Sequence, residues 1–116
     1  MAEPIYKVLT EVAFTESWSQ GRFEGSADDV RDGFIHLSAA HQLEVTLATH
    51  FGGETGLVLL AVDAARLGRD LKWEASRGGA LFPHLYAPLD LAAVLWVEPL
   101  LLGKDGRHIL PEGALA

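Results

Sequence analysis

The residues best suited to chemistry fall in two short segments, Gly33-Phe34-Ile35-His36-Leu37-Ser38 and Phe82-Pro83-His84-Leu85-Tyr86. Each carries an imidazole, the side chain whose unperturbed proton equilibrium lies nearest neutrality and which therefore serves readily as acid, base or anion partner. If the first segment is a strand, Phe34, His36 and Ser38 point to one side and Ile35 and Leu37 to the other. Ser38 then caps a following helix, whose unpaired amides favour a phosphate or carboxylate. In the second segment, His84 and Tyr86 share a side and line one wall of a cleft. Plainer readings stand beside these: Ser38 as a cap and no more, His36 as a hydrogen-bonded core residue, His84 and Tyr86 as rings packed on a sheet edge.

Glu74, Ser76 and Arg77 lie just upstream of the second segment and offer it a carboxylate, a hydroxyl and a cation. Each is equally well explained as an exposed residue flanking a turn. His36 and His84 are thus the leading catalytic candidates, with Ser38, Tyr86, Arg77 and Glu74 as ligand-binding candidates. The chain has five histidines, but none stands in the paired helical spacing of a zinc protease, and His41, His50 and His108 read as surface residues. No metal site is expected; His36, His84 and Glu74 are the one set left open. The nucleophile elbow of a serine hydrolase is missing, as are the glycine fingerprints of the common nucleotide folds. With no cysteine, disulfides, thiolate metal sites and cysteine nucleophiles are excluded.

The elements that must position these residues follow from periodicity. Ile5 to Leu9 reads as a strand, and Thr10 caps a helix from Glu11 to about Gln20 in which Phe14 and Trp18 share a core-facing side. Ser26 and Asp29 have the spacing of a capping box ahead of a helical turn that ends before Gly33. Leu43, Leu47 and Phe51 recur at helical spacing in a main helix from Ala39 to His50, closed by Gly52-Gly53. Leu57 to Val62 is a continuous apolar run, as in a strand covered on both faces. Asp63 caps a short turn, and Leu71, Trp73 and Ala75 alternate with Lys72 and Glu74 in a half-buried strand. Pro83 and Pro88 argue for an edge or loop around His84 rather than a central strand. Val94 to Glu98 and Arg107 to Leu110 complete the set as strands. Helices interspersed with strands early and strands dominating late favour an α+β, mostly antiparallel fold over a doubly wound sheet.

At 116 residues the chain is expected to form a single domain over residues 1–116. Sixteen Asp and Glu against nine scattered Lys and Arg give a net charge of −7, which argues against nucleic-acid binding, since that needs a concentrated positive patch. Met1-Ala2-Glu3-Pro4 lacks the basic and apolar regions of a secretory signal, and no apolar run is long enough for a bilayer. A cytoplasmic protein without a membrane partner is the expectation. Leu100-Leu101-Leu102 serves equally as core or as interface, so the oligomeric state stays open.

Taken together, Ile5-Tyr6-Lys7-Val8, Gly33 to Ser38, Leu57-Val58-Leu59-Leu60, Trp73-Glu74 and Phe82 to Tyr86 resemble the bacterial domain-of-unknown-function family 952, over nearly the whole chain. That family looks like a compact relative of the ADP-ribosyltransferase fold, a split, mostly antiparallel β structure with two to three helices that cradles nicotinamide adenine dinucleotide (NAD) in a cleft. The resemblance implies that the stretch from Phe34 to Phe51 is the second nucleotide-binding element, that His36 and His84 face the cleft, and that Tyr86 and Arg77 touch the ligand. It also places Lys7, where many relatives carry a histidine, at the position that holds the nicotinamide ribose. Glu74 and Glu98 are the two candidates for a transferase-type glutamate. Two functions follow as expectations: a small ADP-ribosyl- or phosphate-transferring enzyme using NAD or a related nucleotide, or a non-catalytic module that binds a metabolite, a nucleotide or a partner protein in the same cleft.

Overall fold

The computed structural model describes residues 3–115, except for the side chains of Arg77 and Leu115; Met1 and Ala2 of the N-terminal segment lie outside it. The chain begins with β1 (Ile5–Thr10), whose last residue accepts a hydrogen bond from Ala13 and so caps α1 (Glu11–Gln20). Gly21, with φ +77°, ends that helix in the left-handed conformation that favours glycine. Then come β2 (Arg22–Phe23), α2 (Ala27–Asp32), β3 (Ile35–His36), β4 (Ser38–Ala39) and, after a 3-10 turn at Ala40–Gln42, α3 (Leu43–His50). The second half runs β5 (Leu57–Val62), β6 (Leu71–Ala75), β7 (Leu81–Leu85), β8 (Leu89–Asp90), β9 (Val94–Leu102), β10 (His108–Ile109) and α4 (Glu112–Leu115). The result is an α+β fold whose described strand pairs are all antiparallel.

A five-stranded sheet in the order β10-β9-β5-β1-β4 forms the scaffold. The six residues of β5 are all buried because both faces of this sheet are covered, as the unbroken apolar run requires. On one face Tyr6, Val8, Leu57, Leu59 and Leu100 pack with Leu43 and Leu47 of α3. On the other, Ile5, Leu9, Val58, Leu60 and Val62 pack with Phe23, Ile35, Leu37, Leu85 and Leu89. This second core layer joins the scaffold to two smaller sheets, β2-β8 and β3-β7-β6. Burying each such leucine contributes roughly 1.5–3 kcal/mol, so the small sheets are held by their apolar undersides.

Five sequence expectations are corrected by this arrangement. The segment from Phe34 to Ser38 is not one strand: β3 pairs with β7 while β4 pairs with β1, so the chain passes from one sheet to another at Leu37. His36 and Ser38 therefore do not point together. Ser38 does not cap the main helix either, because it is paired with Tyr6 and its hydroxyl bonds Thr46; the Gln42 side chain takes the Ala39 amide instead. The segment around His84 is the central strand of its sheet, not an edge. Pro83 is tolerated there because its carbonyl, and hence its nitrogen, faces away from β6 to the side where β3 has ended and Leu37 donates to the carbonyl. Finally, Trp18 is 69% exposed and leans on Phe14 at 6.0 Å instead of entering the core, and Trp73 is more exposed than Glu74.

Candidate functional site

The three-stranded sheet carries its apolar residues underneath and its chemistry on top. Ile35, Leu85 and Leu71 are aligned across β3, β7 and β6, and the next row is His36, His84 and Lys72. Residues directly opposite one another in a sheet share a face, so the two histidines and the lysine project on the same side. Glu74, Phe82 and Tyr86 follow on that side by alternation. Phe34, just before β3, folds back over it: its ring stacks on His84 at 3.9 Å and 13°, and lies 4.7 Å from the His36 ring and 5.4 Å from that of Tyr86. The two histidine rings meet edge to face at 5.8 Å.

His84 is held from behind. Its Nδ1 is 2.9 Å from Glu74 Oε1, which also accepts the Tyr86 hydroxyl at 2.6 Å. The hydrogen bonds from Tyr86 and His84 keep the Glu74 carboxyl below its ordinary range, so it accepts and Nδ1 donates. The same contact pushes the Tyr86 phenol up. The His84 side chain is only 7% exposed, and among the described residues Nε2 has no hydrogen-bond partner. Lys72 places its ammonium 5.7 Å from the centre of the Tyr86 ring, on the ring's cation-attracting face.

His36 is held by two carboxylates. Nδ1 lies 2.6 Å from Asp29 Oδ1 and Nε2 lies 2.9 Å from Asp32 Oδ2. Asp29 belongs to α2, where it completes a capping box with Ser26. Its carboxylate, 2% exposed, also accepts the His36 backbone amide and the ammonium of Lys7 at 3.0 and 3.2 Å. Lys7 in turn donates to the His36 carbonyl at 2.9 Å. Burial alone would raise the Asp29 carboxyl, but Lys7 and the hydrogen bonds from His36 and Ser26 outweigh it and hold the group below its ordinary range. Burial lowers the Lys7 ammonium, with Asp29 pulling the other way. Asp32 sits at the surface, held low by its contact with Arg31.

Of the residues singled out from the sequence, the fold brings His36, His84, Glu74 and Tyr86 onto one face and sets Lys7 beneath it, its three contacts spent inside the protein. Ser38 is buried at the edge of the scaffold sheet, and Glu98 is exposed on the scaffold face that carries α3. Arg77 follows β6, with its side chain outside the described set. His41 and His50 are exposed, and His108 bonds the Glu54 carbonyl. Among the described residues no three metal-binding side chains converge. Sequence reading missed Asp29, Asp32 and Phe34. The capping spacing of Ser26 and Asp29 was visible, but a carboxylate used twice, once for its helix and once for a lysine on a distant strand, leaves no local signal.

A groove of about 240 Å³ runs beside this face, walled by Phe34, Tyr86, Glu24, Asp29, Val30 and Pro88. A second, of about 390 Å³, lies across the ridge formed by Leu85, Ala87 and Pro88 and includes Arg66, Asp70 and Asp90. No helix among the described residues is long and apolar enough to cross a membrane.

Compared with known proteins, the chain is similar over nearly its full length to protein CC0527 from Caulobacter crescentus. The crystal structure of that protein superposes with a TM-score of 0.92 at 52% identity, covering 97% of this chain and 99% of the other. Its solution NMR structure gives a TM-score of 0.82 at 56% identity over 90% of each chain. No curated protein matches. Residues 8–97 match the family described as "Protein of unknown function (DUF952)". The two histidine segments, the buried strand of Leu57 to Val62 and this match over most of the chain lead to one assignment: the chain belongs to the DUF952 family.

Proposed function

We propose that this chain is a small enzyme of the ADP-ribosyl-transfer type, acting on NAD or a related nucleotide laid in the groove beside Phe34 and Tyr86. The observation that carries the reading is the Glu74–His84 pair: an ionised carboxylate fixes Nδ1–H and leaves Nε2 as a proton acceptor. The groove suits a planar cationic ring such as nicotinamide, having aromatic side chains at Phe34 and Tyr86 and an exposed carboxylate at Glu24. In the transfer the bond from the ribose to nicotinamide breaks, with its electron pair leaving on nicotinamide. The acceptor hydroxyl bonds the ribose carbon, and its proton passes to Nε2 of His84.

A non-catalytic binding module is the second reading, favoured by the engagement of both His36 ring nitrogens and all Lys7 contacts within the protein. Histidine-resolved NMR titration with NAD, ADP-ribose and inorganic phosphate, followed by a nicotinamide-release assay, separates the two. Shifts at His36 and His84 with release of nicotinamide that His84→Ala abolishes support the enzyme. Shifts without release support the module. No shift with any of the three defeats both.

A further inference from the structure

Asp29 receives more contacts than any capping role demands. Oδ2 serves the Ser26 amide at 2.9 Å, completing the α2 cap, while Oδ1 takes the His36 amide at 3.0 Å and Nδ1 at 2.6 Å. Lys7 reaches both oxygens. The carboxylate is almost wholly withdrawn from water, at 2% exposure. A buried charge of this kind persists only when it is paired and its lone pairs are filled, and both conditions are met here.

We infer that Asp29 is a positioning residue: it fixes which nitrogen of His36 carries the proton and, through Lys7, anchors that ring to the scaffold sheet. The inference rests on the reading that His36 belongs to the ligand face, but its test needs no ligand. An ionised carboxylate can only accept, so whatever faces Asp29 Oδ1 at 2.6 Å must donate, and Nδ1 keeps its hydrogen. The other groups facing the ring are Asp32 at Nε2 and the rings of Phe34 and His84. Nε2 is therefore the nitrogen that can lose a proton or release Asp32 to meet a ligand. Asp32 is the exchangeable partner because it stands at the surface, whereas Asp29 is locked by Lys7 below. The carboxylate–histidine pairing parallels that of Glu74 with His84, so both rings of the face present Nε2 outward.

Gly25 supports the same role from the loop before α2. Its φ of +119° is one that other residues rarely adopt, and a Cβ there would stand 3.0 Å from the Asp29 Cβ. The loop is thus shaped to let Asp29 approach.

The experiment is ring-nitrogen NMR of His36 in the full chain without ligand, followed upward in pH until the ring is neutral. The expected wild-type result is the Nδ1–H tautomer. In Asp29→Asn the one remaining carboxylate is Asp32, which draws the proton to Nε2, so the two nitrogen resonances exchange their order. Because Asp29→Asn leaves Lys7 buried without its counter-charge, the double variant Lys7→Met/Asp29→Asn is measured as well and should show the same exchange. Rescue by Asp29→Glu should restore Nδ1–H. An Nε2–H tautomer in the wild type, or Nδ1–H retained in a folded Asn variant, overturns the inference. Failure of NAD and ADP-ribose to bind would sink the functional reading and leave this result standing.

Discussion

The ring of Phe34 lies parallel to that of His84 at 3.9 Å, so an aromatic side chain from the turn before β3 forms the roof of a histidine on the central strand. Removing it in Phe34→Ala should cost about 1–3 kcal/mol, less than the roughly 3–5 kcal/mol of a fully buried phenylalanine, because Phe34 is only half-buried. Urea denaturation reads the loss. Acylation of His84 by an imidazole reagent should quicken in the same variant; an unchanged rate would mean that the stack does not limit access.

Lys7 and Asp29 form a buried pair, so removing one member strands the other. Lys7→Ala and Asp29→Ala should each destabilise by about 3–5 kcal/mol, and Lys7→Met/Asp29→Asn by much less than the sum. A double-mutant cycle in urea checks this. Additive losses would show that the two charges do not support one another.

Acid should expose the same pair. The Asp29 carboxyl is lower in the folded chain than its ordinary value of 3.8, so its contribution is present above about pH 4 and is lost as the pH falls through the folded value. Asp32 and Glu74 are shifted in the same direction and add to the same window. Stability measured from pH 7 downward should be steady to about pH 4 and then fall, with a shallower fall in Lys7→Met/Asp29→Asn.

Glu74→Gln should be read at Tyr86. The carboxylate is the main cause of the raised phenol, so in the variant the Tyr86 titration should move down toward 10.0. Difference absorbance at alkaline pH, with Tyr86→Phe to assign the signal, measures it. The same variant should slow any nicotinamide release by about 10²-fold or more if His84 acts as the proton acceptor that Glu74 orients.

Gly25→Ala should destabilise by about 1–3 kcal/mol, through both its positive φ and its contact with Asp29. The tautomer of His36 should become mixed in that variant if the displaced group is Asp29 itself, which the same ring-nitrogen spectra report.

Much of the scaffold was legible because its signals are local. Thr10 and the Ser26–Asp29 spacing marked two helix starts, and the unbroken run from Leu57 to Val62 marked the central strand. The site was legible in its residue types, since His36, His84, Glu74 and Tyr86 do share a face, but not in its wiring. The crossing at Leu37 depends on which sheet each half of a six-residue segment joins, a decision made by partners at Tyr6 and His84 far along the chain. Pro83 misled for a related reason: proline is barred from a ladder only where its nitrogen must donate, and here the neighbouring strand has already ended. Phe14 and Trp18 have the right spacing for one core face, yet only Phe14 packs against the core and Trp18 stays exposed.

The central position of Lys7 in β1 has a consequence for assembly. Its long partner strand, β5, lies some fifty residues further along the chain, so β1 completes its pairing only once those residues have been made, as the Lys7–Leu60 pairing requires. Sliding by one residue would turn Lys7 toward Leu43 and Leu47, away from Asp29, and would bring Tyr6 and Val8 under the histidine face. A hydrocarbon side chain at this position would pack acceptably in either alignment. The lysine makes the shifted alignment costly by parting its charge from Asp29, so it favours the one register in which the histidine face is complete.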